Sequence, residues 1–447
     1  MANVKNIGEG KSMGYFYFIA FVAALGGGLY GYDTAVISGT ISMVVSQFRL
    51  TASMEGTYVG CALLGSIAGV LLSGLVCDRA GRKRSLIAAS ILYTVSAIGC
   101  AVSGSLATLV AFRVIGGVGI GISAVVAPAY ISEIAPARHR GRLVSLYQLA
   151  ITVGFLAAYV VNYLILLNAH GSVATGGLVG KMFVGECWRG MLFAETVPAL
   201  LFVLLLFFIP ESPVWLSMRG EKKPSLLSDL GLVSRPPILG AVIIGAAIAI
   251  LGQFMGVNAV LYYGPSIFEK SGLASGDSLF CQVLVGLVNV LTTVIAFFII
   301  DKVGRKKLVY FGVSGMIVTL LGIAWYFRFG QAVSSYVMLA FFLAYVFFSA
   351  ISICAVIFVL LSEMFPSKVR GVAMSIAELA LWIGTWLIGQ LTPVFLEVLK
   401  PHGTFLMFAI ICVPYILIVW KLIPETTGKS LEEIEAYWYR GKKRKRN

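Results

Sequence analysis

The sequence predicts an all-α membrane protein in which twelve transmembrane helices form two parallel six-helix repeats. Three observations lead to this prediction: the composition, the number of long apolar segments and an internal duplication. Of the 447 residues, 59% are hydrophobic and only 12% are charged, whereas soluble domains contain about 25% charged residues. So few charges cannot cover the surface of a water-soluble protein of this size, and we expect the chain to lie in a lipid bilayer.

Twelve segments are long enough to cross a bilayer, which takes about 20 mostly apolar residues in a helix. In chain order, the predicted spans are 13–37, 55–77, 84–104, 106–130, 143–166, 190–209, 238–262, 279–300, 307–327, 334–361, 370–394 and 402–423. The first span is too long for a signal peptide and lacks a small-residue cleavage site. An even number of spans places both termini on the same side of the membrane.

The basic residues predict which side that is. The net charge is +14, and most Lys and Arg residues fall in alternate loops and in the two tails. Because such loops face the cytoplasm, both termini are predicted to be cytoplasmic. This distribution accounts for the charge without nucleic-acid binding, which we do not expect. Three scattered His residues and seven Cys residues without a CxxC pair predict no metal site.

The second half of the chain repeats motifs of the first half. "CDRAGRKRSL" at 77 returns as "IDKVGRKKLV" at 300, "YISEIAPARHRGRLVSL" at 130 as "LLSEMFPSKVRGVAMSI" at 360, and "PESP" at 210 as "PETTG" at 424. Six spans per half give both halves the same orientation, an arrangement typical of transporters built from parallel repeats. The predicted divisions are an N-terminal bundle at 1–217, a cytoplasmic linker at 218–237, a C-terminal bundle at 238–424 and a cytoplasmic tail at 425–447.

These repeated motifs place acids beside basic residues at corresponding cytoplasmic positions, for example Asp78 beside Arg79 and Glu133 near Arg140. Membrane orientation needs no acids, so we interpret the groups as ion pairs that latch the inner ends of helices. The alternative is that they only set the topology. The predicted gate residues are Asp78, Arg79, Arg82, Glu133, Arg140, Glu211, Asp301, Arg305, Glu363 and Arg370.

Asp33 interrupts a long apolar run, where an unpaired carboxylate is costly. Positions along the predicted spans put Asp33, Arg113 and Glu195 at overlapping depths. An acid with an arginine in reach can exchange between a protonated, released state and an ionised, paired state. We interpret Asp33 as a proton-coupling site, Arg113 as its partner and Glu195 as a modulator. A permanent structural ion pair is the alternative.

Six motifs occur in the order found in a known family: "DRAGRKR", "RVIGGVGIG", "PESPVWL", "GQFMGVNAVLYY", "DKVGRKK" and "PETTGKSLEEIE". The chain resembles the sugar porter family of the major facilitator superfamily, and within it the bacterial D-xylose–proton symporters. This resemblance implies two bundles that rock to give alternating access in the cell inner (cytoplasmic) membrane. It also supports proton coupling, since proton symporters of the family carry Asp and Arg at the positions of Asp33 and Arg113.

A sugar presents hydroxyls and apolar C–H faces, so its site should combine amide side chains with aromatic rings. Gln253, Asn258 and Tyr262 recur near one face of span 7, where the substrate residues of the family fall. The alternative is that these amides satisfy each other between helices. The resemblance places further substrate positions at Tyr30, Phe155, Asn289, Phe358 and Trp382.

The chain departs from the family in this predicted site. Phe155 and Gly252 stand where the family commonly has Gln, and Phe358 stands where it has the Trp of a Gly-Pro-x-x-Trp pattern. Lost amides predict a ligand that is less hydroxylated, differently placed or unusually large. Glu378 is an extra intramembrane acid with three open interpretations: it extends to the cytoplasm, contributes a polar contact to the pathway, or forms a structural pair.

The expected function is transport of a monosaccharide, a pentose or hexose similar to D-xylose or glucose, together with a proton, by a monomer without cofactors. One alternative is a proton-independent sugar or polyol uniporter in which Asp33 is permanently paired. The other is a transporter-like receptor that senses sugar, although the short tails do not favour it. We find no nucleophile–base set or phosphate-binding loop, so an enzyme is not expected.

Overall fold

The computed structural model describes residues 13–136, 139–171, 177, 180–218, 231, 233–234, 236–330, 333–365, 369–425 and 433. Over these residues the secondary structure is helical, without strands. Most of the predicted linker at 218–237, most of the predicted tail at 425–447 and the side chain of Asp301 lie outside the described residues.

Twelve helices in the described part of the chain are long and apolar enough to cross a membrane. They are α1 Met13–Phe48, α2 Ala52–Ala80, α3 Arg82–Val102, α4 Leu106–Ile134, α5 Arg140–Ala169, α6 Cys187–Leu206, α7 Ile238–Lys270, α8 Ser275–Ile300, α9 Arg305–Phe329, α10 Ser335–Leu361, α11 Arg370–Val398 and α12 Lys400–Leu422. The predicted all-α fold with twelve spans is therefore confirmed.

Most helices run further than the predicted spans because helical structure continues beyond the strictly apolar residues. The α1 helix continues from the predicted end at residue 37 to Phe48. The next helix begins after Thr51, whose side chain accepts a hydrogen bond from the backbone N–H of Met54 at 3.4 Å. Such a capping residue satisfies a backbone donor that the helix itself leaves unpaired.

The α6 helix is interrupted at Glu195, between the helical segments Cys187–Ala194 and Thr196–Leu206. Pro198 explains the interruption, because proline has no backbone N–H and its ring clashes with the carbonyl four residues earlier, which belongs to Ala194. The interruption places an acidic side chain at a break inside a membrane helix.

The α7 helix is interrupted at Gly256, whose φ of 94° lies in the left-handed region that glycine tolerates. The carbonyl of Met255 accepts a hydrogen bond from the Tyr345 hydroxyl of α10 at 2.7 Å. A carbonyl released from a membrane helix needs such a partner, since the bilayer core holds no water. The break therefore lies between Gln253 and Asn258.

The chain forms two compact units, and each contains one copy of the repeated motifs. The first unit holds α1 to α6 together with Leu261–Glu269 of α7 and the segment Leu273–Gly286. The second holds the remainder of α7 and α8 and the helices α9 to α12. Within the first unit, Tyr159 donates a hydrogen bond to the carbonyl of Leu261 at 2.8 Å, and Ser42 donates to Glu269 at 2.7 Å.

Glycines bring the backbones of α2 and α4 into direct contact. A side-chain carbon added to Gly65 or Gly69 of α2 would collide with a carbonyl oxygen of α4, and one added to Gly117 or Gly121 of α4 would collide with a carbonyl oxygen of α2. Small residues spaced four apart permit this close approach of membrane helices. The packing fixes the position of α4, which carries Arg113.

Candidate functional site

Asp33 of α1 and Arg113 of α4 form a buried ion pair in the first unit. Arg113 Nη1 donates to Asp33 Oδ1, and Nη2 donates to the backbone carbonyl of Asp33 at 3.1 Å. The two side chains are only 1% and 2% exposed. The second carboxylate oxygen of Asp33 and the Nε of Arg113 have no hydrogen-bond partner among the described residues. Each member of the pair therefore keeps unused hydrogen-bonding capacity inside the protein.

Glu195, at the break in α6, is a second buried acid close to this pair. The residue is 2% exposed, and its carboxyl is near enough to Asp33, Arg113 and Tyr32 to interact with them electrostatically. Two buried carboxyls thus lie within electrostatic range of one guanidinium, which is ion-paired with Asp33. If both were ionised, one negative charge would remain uncompensated at high cost. This arrangement suits a cluster that holds one exchangeable proton.

A small cavity adjoins the ion pair. Arg113 and Thr34 line it together with Tyr262 and the apolar side chains of Ile37 and Val59. Tyr262 belongs to the part of α7 that lies in the first unit. The structure therefore brings a predicted substrate residue and a predicted proton-coupling residue to the walls of one cavity.

In the second unit, Gln253 is the centre of a polar cluster. Its Oε1 accepts hydrogen bonds from Asn258 Nδ2 at 2.6 Å and from Thr385 Oγ1 at 3.0 Å. The Gln253–Asn258 bond spans the break in α7. Gly384 of α11 lets the two helices approach, because a side-chain carbon added there would lie 3.2 Å from Gln253 Cγ. The two predicted amides thus bond to each other, and α11 supports them.

Thr385 was not among the predicted site residues. It follows Trp382 by three residues on α11, so the helical spacing from a predicted aromatic contact was the signal that pointed to it. Trp382 itself is buried, at 3% exposure.

The remaining predicted substrate residues differ in their surroundings. Tyr30 is half-buried, and Phe155 is buried with its ring edge-to-face against Tyr159 at a centroid distance of 6.2 Å. Asn289 is buried in the second unit, while Phe358 is 41% exposed. Phe155 contributes an apolar ring contact at this position, whereas an amide would donate and accept hydrogen bonds.

The first copy of the repeated motif contains a close ion pair between α3 and α4. Arg82 Nη2 lies 2.7 Å from Glu133 Oε1, and Ser212 donates a hydrogen bond to the other oxygen of Glu133. Glu211 accepts hydrogen bonds from the backbone N–H groups of Arg82 at 2.8 Å and Lys83 at 3.0 Å. The Glu211 carboxylate therefore caps the start of α3, where the helix dipole favours negative charge.

The second unit repeats this geometry. Arg305 Nη2 lies 3.0 Å from Glu363 Oε1. Arg305 Nη1 donates to the carbonyl five residues earlier, as Arg82 Nη1 does, each at 3.4 Å. The turn glycines before the two arginines, Gly81 and Gly304, have φ values of 92° and 97°. The sequence duplication thus corresponds to a duplicated ion-pair geometry.

Some predicted gate residues have other partners than those expected from their neighbours in the sequence. Glu133 binds Arg82 rather than Arg140, whose side chain is exposed. The reason is that Arg82 begins α3 directly beside the end of α4, whereas Arg140 begins the next helix. Asp78 and Arg79 are exposed, although the Asp78 carbonyl accepts a hydrogen bond from the indole of Trp215. Arg370 donates to the carbonyl of Phe365 at 3.4 Å.

A further charged cluster joins α1, α3 and α6 at the opposite helix ends. Arg189 is 6% exposed and donates to the carbonyls of Ala101 and Ser103 at 2.9 and 2.6 Å, which close the end of α3. It also bonds to Glu186. Burial alone would raise the pKa of Glu186, but hydrogen bonds from Arg189 and Gln47 and nearby positive charge hold this pKa below its usual value. The cluster fixes the helix ends around the site.

The comparisons with known proteins agree with this architecture. A sequence profile described as "Sugar (and other) transporter" matches residues 19–227 and 226–438. The chain is 36% identical over 456 residues to the arabinose-proton symporter of Bacillus subtilis, covering 96% of each protein. It is 36% identical to the D-xylose-proton symporter of Escherichia coli, over 95% of this chain and 96% of that one.

Solved structures show the same fold. The inward-open conformation of the xylose transporter from E. coli aligns with a TM-score of 0.81 and 35% sequence identity, over 95% of this chain and 100% of that chain. Its partially occluded inward-open conformation aligns with a TM-score of 0.79 and 33% identity, over 93% and 100% of the two chains. From the matched profile, the full-length relatives and the shared helical fold, we conclude that the chain belongs to the sugar porter family of the major facilitator superfamily.

Proposed function

We propose that this protein is a secondary active transporter that moves a monosaccharide together with a proton by alternating access. The observation that carries the proposal is the buried Asp33–Arg113 ion pair with a second buried acid, Glu195, within electrostatic range. Ionisable side chains inside a membrane helix are energetically costly, and they mark functional sites such as proton pathways. Relatives named as arabinose-proton and D-xylose-proton symporters support both the coupling ion and the substrate class.

The cavity between Arg113 and Tyr262 gives a physical route for coupling. When Asp33 is ionised, its carboxylate holds the guanidinium through Oδ1. The backbone carbonyl of Asp33 accepts a second hydrogen bond from the guanidinium, and this bond does not depend on ionisation of the side chain. When Asp33 takes up a proton, the attraction falls and the arginine can shift toward Glu195 or the cavity. A sugar that engages Tyr262 would then favour one of these two states, which is what thermodynamic coupling of two ligands requires.

The substrate site is proposed to combine the Gln253–Asn258–Thr385 cluster with Trp382 and Asn289, all in the second unit. Amides donate and accept hydrogen bonds to hydroxyls, and the indole ring offers a face for the C–H surface of a sugar. Phe155 and Gly252 stand where the family commonly has Gln, and the loss of these amides favours a sugar with fewer hydroxyls. Pentoses and hexoses similar to arabinose, xylose and glucose are the proposed class.

The cytoplasmic ion pairs are proposed to hold the inner ends of helices together within each bundle. Arg82–Glu133 and Arg305–Glu363 each lie inside one unit, which supports a mechanism in which each bundle tilts as a rigid body. The proposed location is a bacterial cytoplasmic membrane, with both termini in the cytoplasm and a single chain as the working form.

Purified protein in liposomes tests the proposal. With an acidic exterior, a panel of pentoses, hexoses and polyols should contain a monosaccharide that accumulates inside, and a protonophore should abolish the accumulation. Addition of this sugar should make a weakly buffered exterior more alkaline. Equilibration without accumulation and without a pH change would instead support a uniporter with a permanent Asp33–Arg113 pair. Transport of no monosaccharide would contradict the proposed substrate class.

A further inference from the structure

Pro265 leaves one carbonyl oxygen of α7 without its usual partner. The proline lies inside the helical segment Val257–Lys270, and it has no backbone N–H to donate to the carbonyl four residues earlier. That carbonyl belongs to Leu261, which is 7% exposed. A carbonyl released from a membrane helix needs another donor, because the bilayer core provides no water to replace the lost one.

Two side chains from different helices donate to this released carbonyl. The Tyr159 hydroxyl of α5 donates to the Leu261 carbonyl at 2.8 Å, and Gln282 Nε2 of α8 donates to the same oxygen at 3.0 Å. Both side chains are 1% exposed, and all three residues belong to the first unit. A carbonyl oxygen has two lone pairs, so donors from two separate helices fix the direction of this carbonyl.

Two glycines leave space for these donors. A side-chain carbon added to Gly264 of α7 would collide with the amide of Gln282, and one added to Gly286 of α8 would lie 2.7 Å from the ring of Tyr159. Real side-chain carbons essentially never approach a neighbour this closely. The packing of α5, α7 and α8 is therefore compatible with the two hydrogen bonds only because both positions are glycine.

The carbonyl with two donors is part of the peptide unit that joins Leu261 to Tyr262. A peptide unit is planar, so fixing its carbonyl also fixes the backbone nitrogen of Tyr262. The Tyr262 residue is 3% exposed and lines the cavity beside Arg113. The two hydrogen bonds therefore act directly on the backbone that carries a wall of this cavity.

We propose that Tyr159 and Gln282 are positioning residues for Tyr262. They act through the carbonyl that Pro265 releases, and they hold the Tyr262 side chain in place at the cavity. The inference rests on the proposed function, in which a sugar that engages Tyr262 is coupled to the proton. A side chain that is already in place needs less ordering when the sugar binds, and such pre-organisation raises affinity. The competing interpretation is that both donors satisfy a buried acceptor and contribute to stability alone.

Tyr159→Phe tests this role, since it removes the hydroxyl and keeps the ring. Loss of one neutral hydrogen bond predicts that KM for sugar counterflow in liposomes rises roughly two- to tenfold, with the maximal rate changed less than about twofold. Gln282→Leu should raise KM in the same way. The matched control is Tyr163→Phe, one turn later on α5, which removes the same hydroxyl from a ring that packs against Phe280. Its KM should stay near that of the parent.

Pro265→Ala identifies the route of the effect. Alanine restores a backbone N–H that can donate to the Leu261 carbonyl within the helix, so this oxygen no longer depends on side-chain donors. In the Pro265→Ala background, Tyr159→Phe should therefore raise KM by less than about twofold. An equal rise in both backgrounds, an unchanged KM in Tyr159→Phe alone, or a Tyr163→Phe variant as impaired as Tyr159→Phe would each overturn the inference.

Amide hydrogen exchange without sugar separates this inference from the proposed function. Hydrogen exchange reports local opening of the backbone, so Tyr159→Phe should make the segment Val257–Lys270 exchange roughly two- to tenfold faster, and Tyr163→Phe should not. In the Pro265→Ala background, Tyr159→Phe should leave the rate nearly unchanged.

The two readouts together decide the role of the donors. Faster hydrogen exchange with an unchanged KM would favour stability alone and would overturn the positioning role, as would an unchanged rate of hydrogen exchange in Tyr159→Phe. A parent that transports no monosaccharide would contradict the proposed function. The hydrogen exchange of Val257–Lys270 would then decide whether Tyr159 and Gln282 hold this segment in place.

Discussion

At the scale of residues, polar side chains inside the protein mark the candidate site. Removing each of them from water costs free energy that apolar packing does not offset, so each needs a hydrogen-bond partner. Gln253 is partly buried, and its carbonyl oxygen accepts two hydrogen bonds, one from across a helix break and one from another helix. A single Oε1 held by Asn258 and Thr385 has little freedom to rotate. The side chain therefore presents its remaining polar group in a fixed direction, as recognition of a hydroxyl requires.

Thr385→Val tests this support. The substitution keeps the shape of the side chain and removes the hydrogen bond to Gln253. A neutral hydrogen bond contributes about 0.5–1.5 kcal/mol, so we expect sugar affinity to fall by roughly two- to tenfold. The control is Thr392→Val on the same helix, because the Thr392 hydroxyl donates to the carbonyl of Ile388 in its own helix. Equal losses of affinity in the two variants, measured by sugar-dependent thermal shift, would contradict the specific role of Thr385.

The sequence predicted a part of this site, for reasons that concern depth and spacing. Asp33, Arg113 and Glu195 could be placed at similar depths because membrane helices have known directions and a fixed rise. The pairing of Glu133 with Arg82, and the hydrogen bond from Thr385 to Gln253, join residues of different helices. Neither could be derived from sequence, since helix rotation and helix neighbours are set by packing.

At the scale of elements, glycine contacts rather than apolar side chains position the helices of the first unit. Lipid is as apolar as a leucine side chain, so burial of apolar surface does little to hold membrane helices together. Gly65 and Gly69 of α2 instead allow backbone contact with α4. This contact sets the height and rotation of Arg113, and through it the geometry of the Asp33 pair.

Gly69→Ala tests the importance of this contact. The added methyl group would collide with the carbonyl oxygen of Val118, and backbone atoms cannot move aside as a flexible side chain can. Overpacking of this kind costs about 1–3 kcal/mol, so thermal unfolding of the purified variant should occur at a lower temperature. Gly74→Ala on the same helix, where nothing lies within 4 Å of the added carbon, should unfold at or above the parent's temperature. Two equally destabilised variants would argue against a specific α2–α4 contact.

Glycine and proline in the sequence indicate where a membrane helix can break, but they do not determine whether it does. The stretch of α7 that contains several glycines and Pro265 permits a break, and the structure locates it at Gly256, with Pro265 inside the following helix. The break at Glu195 was not predicted, although Pro198 provided the signal. A proline in a membrane helix interrupts it only when neighbouring groups can satisfy the released carbonyl, and these neighbours are not visible in a linear sequence.

At the scale of the whole molecule, duplication and charge asymmetry predict one topology. The two units contain equivalent ion pairs, Arg82–Glu133 and Arg305–Glu363, so equivalent ends of their helices carry the same motif. Basic residues concentrate at these ends. The positive-inside rule then assigns them to the cytoplasm and the ends near Glu186 and Arg189 to the exterior.

Labelling of two single-cysteine substitutions tests this topology. Gly104 lies between α3 and α4, Gly141 lies at the start of α5, and a side chain at either position meets no atom within 4 Å. A membrane-impermeant maleimide should label Gly104→Cys in intact cells and Gly141→Cys only after permeabilisation. Each variant is compared with the parent, whose native cysteines are mostly buried. The reverse pattern would invert the proposed orientation.

The account depends most on proton exchange at the buried pair, and Asp33→Asn measures this directly. The variant keeps the shape of the side chain and removes the titrating group. In liposomes with an acidic exterior, we expect it to lose sugar accumulation while retaining sugar counterflow, and Asp277→Asn, at an exposed acid of α8, to behave as the parent. An Asp33→Asn variant that concentrates sugar as well as the parent would contradict the central claim.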